Sequence, residues 1–177
     1  MPICIPETEH RAISLKQLRE VVDQIQERCE REHWKSTDPQ NNKHHLKPEE
    51  VTLYDLVEYL IKPQTQPFEC SYVELVASQQ QPPDWFVSHW WGEPVLDFCE
   101  CLEQHAKDRG LSLDDTFYWV CAYANNQHNV LGEVGLDPRE SSFYKGRLLL
   151  LSVLPLSFSL LFSRGSHVLA FLKLTKA

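Results

Sequence analysis

After Glu140 the chain contains no Asp or Glu, although 25 acidic residues precede that point. Other absences exclude whole classes of chemistry. There is no P-loop, no GxGxxG, no GxSxG and no HExxH, so the local signatures of phosphate cradles, dinucleotide folds, serine hydrolases and zincins are missing. No Asn-x-Ser/Thr acceptor occurs, and Met1 to Glu7 lacks the basic and apolar regions of a secretory signal. The six cysteines (4, 29, 70, 99, 101 and 121) form no tight framework. Four sit in apolar helix or strand patterns and read as reduced core thiols of a cytoplasmic protein. Cys99 and Cys101 are two apart on a helix pattern, where side chains diverge, so they are not a zinc or redox pair. No cysteine stands out as an activated nucleophile. His44 and His45 lie in a polar loop, and a solvated loop is the stronger reading than a metal site.

What is present suits a globular protein. The chain has 177 residues, 42% hydrophobic and 24% charged, enough for one domain with a real core and an N-terminal appendage. Its net charge of −8 argues against nucleic acid and anionic membranes as partners. The charge is divided unevenly. Residues 1–140 carry 12 Lys/Arg against 25 Asp/Glu, a balance of −13, and residues 141–177 carry five basic residues and no acid. The run from Leu148 to Phe162 is almost wholly apolar but short, and Pro155 breaks it. A membrane span needs roughly 17–25 residues, so a buried helix or strand pair is expected there instead, with membrane anchoring as the weaker alternative.

Three capping boxes punctuate the first half: Ser14-x-x-Gln17, Thr52-x-x-Asp55 and Ser71-x-x-Glu74. Leu15, Leu18, Val21, Val22, Ile25 and Cys29 follow the first at helical spacing, which predicts an amphipathic helix over 15–33. Residues 36–47 (STDPQNNKHHLK) read as a polar linker. A short helix from Thr52 is expected to stop at Pro63, and another to span 72–78. Gln79 to Pro83 then delivers the chain into a strand over 85–90. A helix over 94–109 follows, with Val95, Phe98, Cys99, Leu102 and Ala106 on one face and Gly110 past its end. Thr116 to Tyr123 is nearly all apolar and reads as a second strand covered on both faces.

Strand, helix and strand within about 40 residues make a βαβ unit with a parallel pair and a right-handed crossover. Both strands of such a unit end at one sheet edge, which brings two polar clusters together. The first is Ser88, His89, Trp90, Trp91, Gly92 and Glu93; the second is Asn125, Asn126, Gln127, His128 and Asn129. Amides, imidazoles and flat aromatic surface suit a nucleotide or sugar better than a bare metal ion. Each residue also has a plainer use. His89 can serve a backbone carbonyl, one of the two tryptophans can cap the core, and asparagines tolerate turns.

The run WFVSHWW (85–91), the FYWV strand (117–120) and Asn125-Asn126-Gln127-His128 together resemble the divergent Toll/interleukin-1 receptor-like (TIR-like) domains of protists. The resemblance covers roughly residues 52–145 and includes the helical lead-in around Tyr54-Asp55-Leu56 and Ser71 to Val76. It implies an α/β fold with a partial, flavodoxin-like parallel sheet over 48–146. Residues 1–47 would form a helical arm and linker, and 147–177 a hydrophobic acid-free tail. It also implies a signalling and protein-interaction role, with other TIR-like domains or signalling proteins as partners. Some TIR domains cleave NAD, and their pocket would map onto His89 to Glu93, with the loop from Asn125 gating it and serving assembly. The family's catalytic glutamate lies on a later helix near a Trp or Cys. Here no Trp follows Trp119 and no Glu follows Glu140, so Glu93 is the remaining weak candidate, at the right edge but on the wrong loop. The expectation is a non-catalytic interaction domain compatible with nucleotide binding; the alternative is an NAD glycohydrolase-type enzyme. Thirty-two residues after 145 cannot hold three more βα units, so the sheet is expected to be small or finished by apolar segments that pair locally.

Overall fold

The computed structural model describes residues 1–40, 42–130, 132, 158–162 and 168–173. All three capping boxes form. In each, the Ser or Thr hydroxyl accepts from the backbone N–H three residues on, and the Gln, Asp or Glu side chain reaches back to the cap N–H. The first opens α1 (Leu15–Arg28), which follows the short strand β1 (Ile13–Ser14). Leu15, Leu18, Val21 and Ile25 are buried along one face of α1, each stabilising the fold by about 1.5–3 kcal/mol. That face meets α5 (Val95–Asp108), and Arg19 Nε ties the two helices to Glu103 Oε1 at 2.7 Å.

The segment around Pro63 differs from expectation. After α2 (Leu53–Leu56) the chain makes a π-helical turn over Val57–Ile61 and continues as α3 (Lys62–Thr65), so Pro63 does not stop it. A proline in a regular helix clashes with the carbonyl four residues back and leaves it without a donor. The π turn widens the ladder at that place, and the Tyr59 carbonyl accepts from Arg28 Nη2 at 3.3 Å instead. Helix α4 (Tyr72–Val76) closes this half.

Strand β2 (Trp85–Ser88), α5 and β3 (Phe117–Trp119) form the expected βαβ unit, with β2 and β3 parallel and Trp85 opposite Tyr118. Both strands are shorter than the sequence reading. β3 ends at Trp119, because Cys121–Ala124 coils into a helical turn, α6. The rest of the sheet is antiparallel. β1 pairs with β3 on one side; on the other, β2 pairs with β5 (Val168–Lys173), which pairs with β4 (Phe158–Phe162). The order is β1-β3-β2-β5-β4, so the sheet is mixed and not wholly parallel. The C-terminal apolar segments pair locally, as the length argument required. Residues 158–162 of the run from Leu148 are strand; 148–157 lie outside the described residues. No described helix is long and apolar enough to cross a membrane.

Alternation along the strands sends side chains to two faces. Trp85, Val87, Tyr118 and Val120 join the main core with α1 and α5. Phe86 and Trp119 turn the other way and stack at 5.1 Å, with Ala12, Cys121 and Ala124 around them. Residues of the N-terminal arm, from Ile5 to Trp34, belong to the same main core as the βαβ unit.

Candidate functional site

The loop after β2 is fixed by backbone bonds to the start of α2. Leu53 N–H donates to the Trp91 carbonyl at 3.1 Å, and Val95 N–H donates to the Val51 carbonyl at 2.8 Å. In this loop the adjacent tryptophans have opposite fates. Trp91 turns inward and packs on both cores, and its Nε1–H donates to Cys121 Sγ at 3.2 Å. Trp90 turns outward and is 54% exposed. Its indole lies against Gly92, where an added Cβ would stand 2.6 Å from Cε2 and Cη2 of the ring. Glycine is needed here for space and not for a left-handed backbone, since among described glycines only Gly110 has positive φ.

His89 is packed against Phe98 with ring centroids 4.6 Å apart. Both its ring nitrogens are buried without a hydrogen-bond partner among the described residues. Loss of hydration lowers its pKa to about 4, opposed by the nearby Val87 carbonyl. This imidazole is neutral at pH 7 and its ring nitrogens are out of reach of solvent, so it makes a poor proton shuttle. Glu93 is 1% exposed and its N–H donates to the Trp90 carbonyl at 3.2 Å. Ser88 is exposed at the end of β2.

The asparagine cluster serves a different neighbour. Asn126 Nδ2 donates to the Glu69 carbonyl, and its Oδ1 accepts from His128 N–H at 2.9 Å. His128 Nε2 is 2.9 Å from Thr65 Oγ1 at the end of α3. Asn125 is buried, and Gln127 Nε2 donates to the Ala122 and Asn125 carbonyls. These side chains tie the turn after α6 to the connection between α3 and α4. The Trp91–Cys121 bond links the strand ends. The two polar clusters do not line one described cavity.

A cleft of about 820 Å³ opens beside the first cluster and takes only Trp90 and Gly92 from the expected residues. Its other walls come from residues 36–39, His44 and Leu46 of the loop read as a linker, and from Glu50, Thr52, Tyr54, Asp55 and Glu58. The loop is held in place by Asp55. Oδ2 accepts from Thr52 N and Oγ1 at 3.0 and 2.7 Å, completing the capping box, and Oδ1 accepts from Thr37 N and Oγ1 at 2.8 and 2.7 Å. Lys35 and His45 bridge across the loop's base. His44 Nε2 meets Glu50 Oε2 at 3.0 Å. The Lys47 N–H and His44 hold the Glu50 carboxyl below its ordinary range, so it stays ionised. Glu58 pairs with Lys62 one turn on. Tyr54, 52% exposed, stands 5.5 Å from the Trp91 ring.

The sequence reading missed this wall. Its one signal was the capping carboxylate Asp55, which has a second oxygen to spare for a distant partner.

The buried thiols are poor nucleophiles. Burial raises Cys29 and Cys101 to about 11 and pushes Cys99 higher still. Burial also raises Cys121, outweighing the Trp91 N–H that lowers it. Among the described residues no three His, Cys, Asp or Glu side chains are grouped to hold a metal ion. Compared with family models, curated proteins and solved structures, the chain matches none.

Proposed function

We propose that this chain is a non-catalytic assembly domain of the TIR-like kind, working in a reducing, cytoplasmic setting and binding its partners at the Trp90 cleft. One observation carries the reading: two aromatic side chains, Trp90 and Tyr54, are more than half exposed and line the same cleft. Exposed, positioned aromatics are the usual anchors of recognition surfaces. The parallel β2-α5-β3 unit and the SHWW turn at its edge support the family likeness, as does the α/β character of the whole. The flavodoxin-like half of the sheet is part of the proposal; among the described residues one of the four strand pairings is parallel.

The same geometry speaks against NAD cleavage. That reaction needs a carboxylate facing the developing oxocarbenium ion. Glu93 is buried and does not line the cleft. The carboxylates that do line it (Asp38, Glu50, Asp55 and Glu58) repel a pyrophosphate.

Sedimentation velocity over a concentration series tests the assembly role. The expected result is concentration-dependent association that Trp90→Ala weakens while the variant stays folded. Association unchanged by Trp90→Ala, or a chain that stays monomeric throughout, overturns it.

A further inference from the structure

The proposed assembly role leaves open what chemistry the cleft accepts, and its lining decides this. Among the described residues four carboxylates line it, and the one basic side chain in its lining is the His44 imidazole. Asp55 is consumed by its four bonds to Thr37 and Thr52, whereas Asp38, Glu50 and Glu58 are each engaged through one oxygen, by Gln40 N–H, by Lys47 N–H with His44, and by Lys62, and offer the other to a ligand. The Glu58–Lys62 pair joins half-exposed groups one turn apart, an arrangement that contributes little in water, so an incoming cation can replace Lys62. The same cleft is lined by Trp90 and Tyr54, whose ring faces attract cations. Trp90 is also pre-positioned, because its indole rests in the space that Gly92 leaves open, and less side-chain freedom is then lost on binding. The balance of −13 over residues 1–140 adds a long-range field of the same sign. A volume of about 820 Å³ exceeds what one side chain fills and suits a short stretch of peptide.

We infer that the cleft docks a basic peptide segment of a partner protein, with arginine or lysine side chains over Trp90 and Tyr54 and facing Asp38, Glu50 and Glu58. This rests on the interaction reading and specifies its occupant. A neutral sugar also stacks on aromatic faces and donates its hydroxyls to carboxylates, but only a cation gains from their net charge.

Fluorescence anisotropy with a labelled alternating arginine–glycine hexapeptide tests it on the full chain, against the same peptide carrying citrulline for arginine. The arginine peptide binds saturably and the citrulline peptide does not. Trp90→Ala and Glu58→Gln each weaken binding about tenfold, the loss expected for one cation–π contact or one ligand charge. Glu30→Gln, an exposed charge outside the cleft, leaves it unchanged. Equal binding of the citrulline peptide overturns the inference, as does equal loss with Glu30→Gln, which would mark a diffuse attraction to an acidic surface. Undiminished binding by both cleft variants overturns it too. Circular dichroism of each variant separates lost binding from lost folding. If the chain associates in sedimentation but ignores the arginine peptide, the occupant is wrong and the assembly role stands. Nicotinamide release would sink the assembly role whatever the peptide does.

Discussion

The indole of Trp90 and the backbone of Gly92 share one space: a Cβ on Gly92 would lie 2.6 Å from two ring atoms of Trp90. Gly92→Ala therefore drives the indole out of its position. Because Trp90 is half exposed, the ring can move into solvent, and the stability loss should stay within about 1 kcal/mol. Binding at the cleft should fall nearly as far as in Trp90→Ala. Urea denaturation and the peptide titration, run on the same variant, check both halves.

The two adjacent tryptophans should respond in opposite ways to truncation. Trp91→Ala removes a ring packed on both cores and the N–H donor to Cys121, and is expected to cost about 3 kcal/mol or more. Trp90→Ala removes an exposed ring and should change stability by less than about 1 kcal/mol. Equal losses in urea midpoints would contradict the division of roles.

Glu74 joins three parts of the N-terminal half. Oε1 accepts from Ile5 N–H at 2.9 Å and lies 3.6 Å from Arg11 Nη2, while Oε2 accepts from Ser71 N and Oγ at 2.9 Å each. All of this is buried. Glu74→Ala removes the acceptor of two buried amide donors and one of the partners of Arg11, whose Nε still donates to the Ile5 carbonyl, and is expected to destabilise by about 2–3 kcal/mol. Glu74→Gln, which still accepts through its carbonyl oxygen, should lose less, and chemical denaturation of the pair ranks them.

Stability should decline with acid before the carboxylates titrate. Burial lowers His89 to about 4. Burial, with Arg109 adding to it, lowers His105 to about 4 as well. An unfolded histidine titrates near pH 6.5, so between about 6.5 and 4 the unfolded chain binds more protons and stability falls as pH falls. The contribution is intact above pH 6.5 and largely gone below 4. His89 alone accounts for up to about 3 kcal/mol across that window. Urea midpoints measured from pH 7.5 to 4 should show the slope, and His89→Phe should flatten it.

Local signals carried the parts of the fold that depend on neighbours in sequence. The three capping boxes, the amphipathic α1 and the parallel β2-α5-β3 unit were all legible, because periodicity and caps act within a few residues. The end of β3 was not. Phe117 to Tyr123 is apolar throughout, and an apolar run does not say whether it extends or coils; Cys121–Ala124 coils. Pro63 misled for a related reason, since the rescue of the Tyr59 carbonyl comes from Arg28, 31 residues away. The candidate site was half legible. Trp90 and Gly92 stand at the edge that topology indicated, but the facing wall is a polar loop pinned by Thr37 to Asp55, 18 residues apart. Converging strand ends place Asn126 and His128 at the same edge, and in the structure their side chains meet the end of α3 and the connection to α4.

Recognition without catalysis is decided by nicotinamide release from NAD, measured on the purified, demonstrably folded chain. No release above the rate of buffer is expected, for the native chain and for Glu93→Gln alike. Release by the native chain that disappears in Glu93→Gln would contradict it and make Glu93 the carboxylate of an enzyme.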